Sequence, residues 1–285
     1  MGSNEVFVGA VTSKRHEKLL DRWLDGVNSF THPHHLVMID TTVGSDSYAR
    51  KLKRKGVDVI KYKWNTKEDH WYQAMADSKN LLRDRFLENG YTHFFSLDTD
   101  EFIPPYALTQ LVEHDKDNVG YATPMWHNRP GVFRSGGYIA TGNGGFTLDV
   151  YTYEEIIRRM EKEKTQLLKV HSVTNGCLLT NKRVINAIEW CTPKFPPIAV
   201  DTLWYINCEK KGFESWVDMS IMPLHLPVGW KDVPSFTEKD ILGNKKMCIA
   251  HGWITNDDPK TRQIDLYEPD VRVKKHPEDK GVNNK

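Results

Sequence analysis

Asp98, Asp100 and Glu101 end the apolar run of "FFSLDTDEFIPP", and their types and spacing suit a cation. Two carboxylates two residues apart on an extended segment project to one side, and no Lys or Arg stands beside them in sequence to neutralise them. A divalent ion satisfies such a pair most simply. Mg2+ or Mn2+ held by one or two carboxylates completes its shell with water and phosphate oxygens, so the implied chemistry is that of a diphosphate-bearing substrate. A plainer reading has Asp98 capping the turn into Pro104 and Pro105, with Asp100 and Glu101 merely solvated.

These acids need a strand that ends beside them, in a sheet whose carboxyl edge faces the ligand. Residues 5–105 supply the pattern: the apolar runs "EVFVGAV", "HLVMID", "VDVIKY" and "THFFSL" alternate with amphipathic stretches, as in stacked βαβ units. Leu19, Leu20, Trp23, Leu24 and Val27 recur at helical spacing between the first two runs. Trp71, Ala74, Met75, Ser78, Leu81, Leu82 and Phe86 trace a longer helix that Gly90 ends. After Pro105 the periodicity weakens. Turn-rich segments such as "HNRPGVFRSGG" and "TGNGG" interrupt short strand candidates, "GYATPMW" and "NGCLLT", and helical patterns return at 153–164 and 200–211. No composition break marks a linker, so the expectation is one domain over 1–256, with a nucleotide-binding half (5–105) and a mixed, acceptor-binding half (106–256). From Asp257 seven acids and seven bases alternate with few apolar residues, which predicts a mobile or lid-like tail over 257–285.

Composition narrows the partners. The 285 residues carry 39 Lys and Arg against 38 Asp and Glu, so no bulk positive field exists to hold nucleic acid. Cys177, Cys191, Cys208 and Cys248 form no CxxC pair, which implies reduced thiols and a cytoplasmic setting. No apolar run reaches the roughly 18 residues of a spanning helix, so the expected protein has no transmembrane segment and is at most peripheral at a membrane.

Three segments, "VFVGAVTSKR", "LVMIDTTVGSDS" and "FFSLDTDE", together make the chain resemble the nucleotide-sugar-dependent glycosyltransferases of the GT-A fold, family 2 in particular. The resemblance covers about 5–105 well and 170–225 more loosely. It implies an α/β fold with a Rossmann-like, mostly parallel sheet flanked by helices, a nucleoside-diphosphate sugar donor (UDP- or GDP-linked), a hydroxyl-bearing acceptor such as a carbohydrate, and Mn2+ or Mg2+. It also implies roles. Thr12 and Asp40 would hold the nucleoside, Asp98 the ribose or the metal's water shell, and Asp100 the metal itself. Lys79, where the family often has Arg before Asn, would reach the diphosphate. Asp40 equally suits an Asx-turn into Thr41, and Lys79 equally suits a solvated helix face.

In the second half, Asp201 precedes Gly212 by the family's spacing between its catalytic acid and a glycine, although Val200 replaces the usual preceding acid and Asn207 the usual Arg. Inverting transfer needs one base to take the acceptor proton, and a carboxylate at a helix start is suited to remain charged. The same residue type also serves as an ordinary N-cap. His225, in "MPLHLP", would be the late histidine that ligates metal in several relatives, with His251 a weaker substitute; a packed core imidazole is the alternative. Trp126, Trp204, Trp230 and Trp253 could stack on sugar faces or fill the core. "HPHH" at 32–35 lies before the second strand, away from the acids, and suits a surface loop. Two other functions stay open: a nucleotidyltransferase using Lys14 and Arg15 around a triphosphate, and a non-catalytic carbohydrate- or nucleotide-binding module.

Overall fold

The computed structural model describes residues 5–64, 71–123, 130–140, 146–192 and 199–226; His251, three of the four candidate tryptophans (Trp126, Trp230, Trp253) and the 257–285 tail lie outside them. In chain order the elements are β1 (Val6–Thr12), a 3-10 turn (Lys14–His16), α1 (Leu20–Asn28), β2 (His34–Asp40), α2 (Ser47–Arg54), β3 (Asp58–Lys61), α3 (Trp71–Glu88) and β4 (His93–Leu97). Then come β5 (Glu101–Phe102), α4 (Ala107–Glu113), β6 (Asn118–Tyr121), β7 (Val132–Ala140), β8 (Phe146–Val150), α5 (Tyr153–Glu163) and β9 (Leu167–Val170). The described chain closes with β10 (Ser172–Val173), β11 (Cys177–Asn181), α6 (Lys182–Ala187), α7 (Val200–Lys210), β12 (Ser215–Asp218) and β13 (Leu224–His225).

One eight-stranded sheet, ordered β3-β2-β1-β4-β11-β6-β12-β9, takes strands from both halves of the chain. β3, β2, β1 and β4 run parallel, as the βαβ pattern requires, and β11 enters antiparallel between β4 and β6. The α/β class expected from the sequence is therefore the one observed: a Rossmann-like first half and a mixed second half. None of the described helices is long and apolar enough to cross a membrane.

Period-2 alternation divides the core. Phe7 faces one layer with Leu82, Phe86, Phe94, Trp190 and Trp204, while Val6, Val8 and Ala10 face the other with Leu20, Trp23, Leu52 and Leu108. Burying Phe7 and Phe94 stabilises the first layer by about 2–3 kcal/mol each, and their rings stack at 5.4 Å.

Several expectations change in the fold. Trp71, counted on the buried face of α3, is 39% exposed, whereas Ala76 and Lys79 are buried. The helix packs on β1 and β2 on one side and on α7 on another, so a single apolar stripe does not describe it. The turn-rich "GVFRSGG" enters β7, which pairs with β8 through a register irregularity between Phe133 and Tyr138, an accommodation that glycines permit. The short strands β5, β9, β12 and β13 carry too few residues for alternation to announce them.

Candidate functional site

The carboxyl ends of β1, β2 and β4 lie along one edge of the sheet. Thr12 pairs with Asp40 across β1 and β2, and Asp98 follows β4 directly. The extended geometry expected for Asp98 and Asp100 does not form. Residues 98–101 make a turn, closed by the Glu101 N–H donating to the Asp98 carbonyl at 3.0 Å. Two further bonds fix that turn: the Asp98 N–H donates to the Gly176 carbonyl at 2.7 Å, and the Trp23 indole N–H to the Asp98 carbonyl at 2.9 Å. Its acids are held by backbone, which leaves their carboxyl groups for other work.

The missing neighbouring cation in sequence is supplied by the fold. Lys79 is 5% exposed, its Nζ donating to Ser96 Oγ at 3.2 Å and lying 5.9 Å from the Trp190 ring centre, so it is not a solvated helix face. Burial pushes the Asp98 carboxyl up to about 6; Lys79 and His225 oppose this, and the charges of Asp100 and Asp201 reinforce it. Glu101 is likewise buried, not solvated, and burial and the Asp98 charge hold its carboxyl well above the usual range although Thr123 Oγ1 donates to it at 2.8 Å.

His225 arrives on β13, which pairs with β5 so that His225 stands opposite Glu101 and the Leu226 N–H donates to the Asp100 carbonyl at 2.8 Å. Its Nε2 lies 3.8 Å from Asp100 Oδ2. His16, from the 3-10 turn after β1, approaches the same oxygen to 4.0 Å, and its burial lowers its pKa. Nothing in the sequence pointed to His16 beyond its place in the first-strand loop. Asp201 lies in the first turn of α7, but the N-cap is Ala199, with no side-chain cap, so the capping reading does not hold. Instead Asp201 Oδ2 accepts the Asn175 N–H at 3.3 Å. Segments far apart in sequence thus bring Lys79, Asp98, Asp100, Asp201 and His225 to one edge.

Asp40 and Thr12 occupy more internal roles. Asp40 is fully buried; Oδ1 accepts the Thr42 N–H at 2.8 Å, the Asx-turn geometry, and Oδ2 pairs with Lys61 at 3.0 Å. Lys61 also holds the Thr42 and Ser45 carbonyls, pinning the loop after β2. Thr12 Oγ1 shares hydrogen bonds with Tyr48 at 3.2 Å and Thr99 at 3.3 Å. Trp204 is core: it is fully buried and stacks on Trp190 at 4.0 Å. His34 and His35 open β2, at the end opposite Asp40.

Asp98, Asp100 and His225 are donors of the type Mn2+ or Mg2+ accepts, and the crowding of carboxylates around part-buried Asp98 favours a cation. Among the described residues no three His, Cys, Asp or Glu side chains are gathered closely enough to hold an ion by themselves. Asp98, Asp100 and His225 thus offer donors of a suitable kind without forming a closed metal site of their own.

No protein-family model and no curated protein matches the sequence. Similar solved structures include A197 from STIV (10% identity, 79% of this chain and 86% of that one, TM-score 0.43) and S. aureus TarS (12% identity, 77% of this chain and 36% of that one, TM-score 0.47). TarS 1-349 gives 13% identity over 76% of this chain and 60% of that one, with a TM-score of 0.45. The chain thus spans less than two thirds of either form of TarS. Likenesses this distant carry no argument about function, and the case for it rests on the site's own geometry.

Proposed function

We propose that this protein is a glycosyltransferase that moves a sugar from a UDP- or GDP-linked donor to an acceptor hydroxyl with the help of Mn2+ or Mg2+. The observation that carries this reading is the convergence on the turn after β4 of two acids, a late histidine and a separate carboxylate on α7. Asp100 and His225 would ligate the ion, with Asp98 facing its water shell; when bound, the ion supplies positive charge to the departing diphosphate. Lys79 adds a second, covalently tethered positive charge behind Asp98. Asp201 would accept the acceptor's proton as its oxygen attacks the anomeric carbon from the face opposite the diphosphate, giving inversion.

Calorimetric titration with UDP and GDP, with and without Mn2+, tests the reading. Binding of one nucleotide should tighten at least tenfold with Mn2+, and Asp100→Ala should remove that gain without lowering the melting temperature. Equal binding with and without metal, or an Asp100→Ala variant that still hydrolyses donor in a Mn2+-dependent way, would overturn it.

A further inference from the structure

The loop between β10 and β11, residues 174–176, lies between the two chemical poles of the site. On one side the Gly176 carbonyl accepts the Asp98 N–H, and a Cβ built on Gly176 would come within 2.0 Å of Glu101 Oε1 and 3.0 Å of Asp98 Oδ2. On the other, the Asn175 N–H donates to Asp201 Oδ2. A sugar being transferred must bridge the same two poles, with its diphosphate toward Asp98 and Asp100 and its anomeric carbon toward Asp201.

The side chains of this loop are not spent on the fold. Asn175 is 1% exposed, yet neither its Nδ2 nor its Oδ1 has a hydrogen-bond partner, and the buried Thr174 Oγ1 beside it has none either. Nearly all buried polar atoms in native proteins are paired, because leaving them unpaired is costly. Three on consecutive residues, next to the residue proposed as base, call for a ligand. A carboxamide offers a donor and an acceptor side by side, and a hydroxyl adds one more of either kind. Two neighbouring sugar hydroxyls complement that set.

We infer that Thr174 and Asn175 form the subsite that reads hydroxyl groups of the transferred sugar and so determine donor specificity. This rests on the glycosyltransferase reading. Asn175→Leu and Thr174→Val, which keep volume and remove the polar atoms, test it in the full chain. UDP and GDP affinity should stay within about twofold, while kcat/KM for the best of UDP-glucose, UDP-galactose, UDP-N-acetylglucosamine and GDP-mannose falls by about 100-fold. The preference for that donor over its deoxy analogues should collapse, since a site built to bond a hydroxyl rejects a ligand lacking it.

Melting temperature separates a ligand-reading role from a structural one. Removing unpaired polar atoms should leave it unchanged or raised. A lowered melting temperature together with weakened nucleotide binding would mark these side chains as packing residues, and unchanged turnover and donor preference would show that they do not touch the sugar; either result overturns the inference. If the wild-type protein binds neither nucleotide with Mn2+, the glycosyltransferase reading itself fails, and this subsite fails with it.

Discussion

Asp98 shows what a part-buried charge does for function and against stability. Desolvation pushes its carboxyl up from 3.8 to about 6, so the folded state holds the proton more tightly than the unfolded chain does. The stability it contributes is therefore greatest below pH 4 and declines as pH rises through 6, leaving a net cost at pH 8. Asp98→Asn should raise the melting temperature at pH 8, less so at pH 5, while weakening Mn2+-dependent nucleotide binding by at least tenfold; paired thermal scans and titrations would check both. Gly176 is constrained in the opposite sense. A methyl group there would lie 2.0 Å from Glu101 Oε1, so Gly176→Ala must displace the Glu101 carboxyl and crowd that of Asp98. Its expected signature is turnover reduced by about 100-fold with a melting temperature lower by several degrees, since overpacking of this kind costs about 1–3 kcal/mol.

Among the elements, α5 carries its own start signal. Thr152 Oγ1 accepts the Glu155 N–H at 3.3 Å, and the Glu155 carboxylate accepts the Thr152 N–H at 2.8 Å, a reciprocal capping box. Arg134 from β7 pairs with the same carboxylate and, with the Thr152 N–H, lowers its pKa to about 2. That contribution is present above pH 4.5 and lost as pH falls toward 2. About a third of the Glu155 side chain is exposed, so solvent screens the pair and Glu155→Gln should cost no more than about 1 kcal/mol at pH 7 and much less at pH 2, measurable by urea unfolding at the two pH values. β5 and β13 are too short to be stable alone, but their pairing determines where His225 lies, because Leu224 and His225 align with Phe102 and Glu101.

Across the whole molecule, α3 connects the site to the segment after α6. Asn80 Nδ2 donates to the Trp190 carbonyl at 2.7 Å and Asn80 Oδ1 accepts the Trp190 N–H at 2.9 Å, while Arg83 Nε donates to the Ile185 and Ile188 carbonyls at 2.8 and 3.1 Å. Trp190 in turn stacks on Trp204 of α7, the helix that carries Asp201, and its ring flanks Lys79. Asn80→Ala leaves two backbone groups of Trp190 without partners, so it should destabilise the protein by about 2–3 kcal/mol in chemical unfolding. It should also lower turnover, because the same stack sets the positions of Lys79 and Asp201.

The sequence alone determined what local rules can determine. Alternation gave β1 to β4, spacing gave α1 and α3, the acids at the end of "FFSL" marked the edge where a ligand would sit, and Gly90, at φ +76°, ended its helix. Only the tertiary structure decided which groups those acids meet. Lys79 is 19 residues before Asp98, Asn175 and Gly176 more than 70 after it, Asp201 and His225 more than 100, and no periodicity encodes contacts at such separations. Strand order encodes them: inserting β11 between β4 and β6 brings Gly176 against Asp98, and pairing β13 with β5 brings His225 to Asp100. Burial, which raises the Asp98 carboxyl and leaves Asn175 unpaired, belongs to the assembled core and to no stretch of chain by itself.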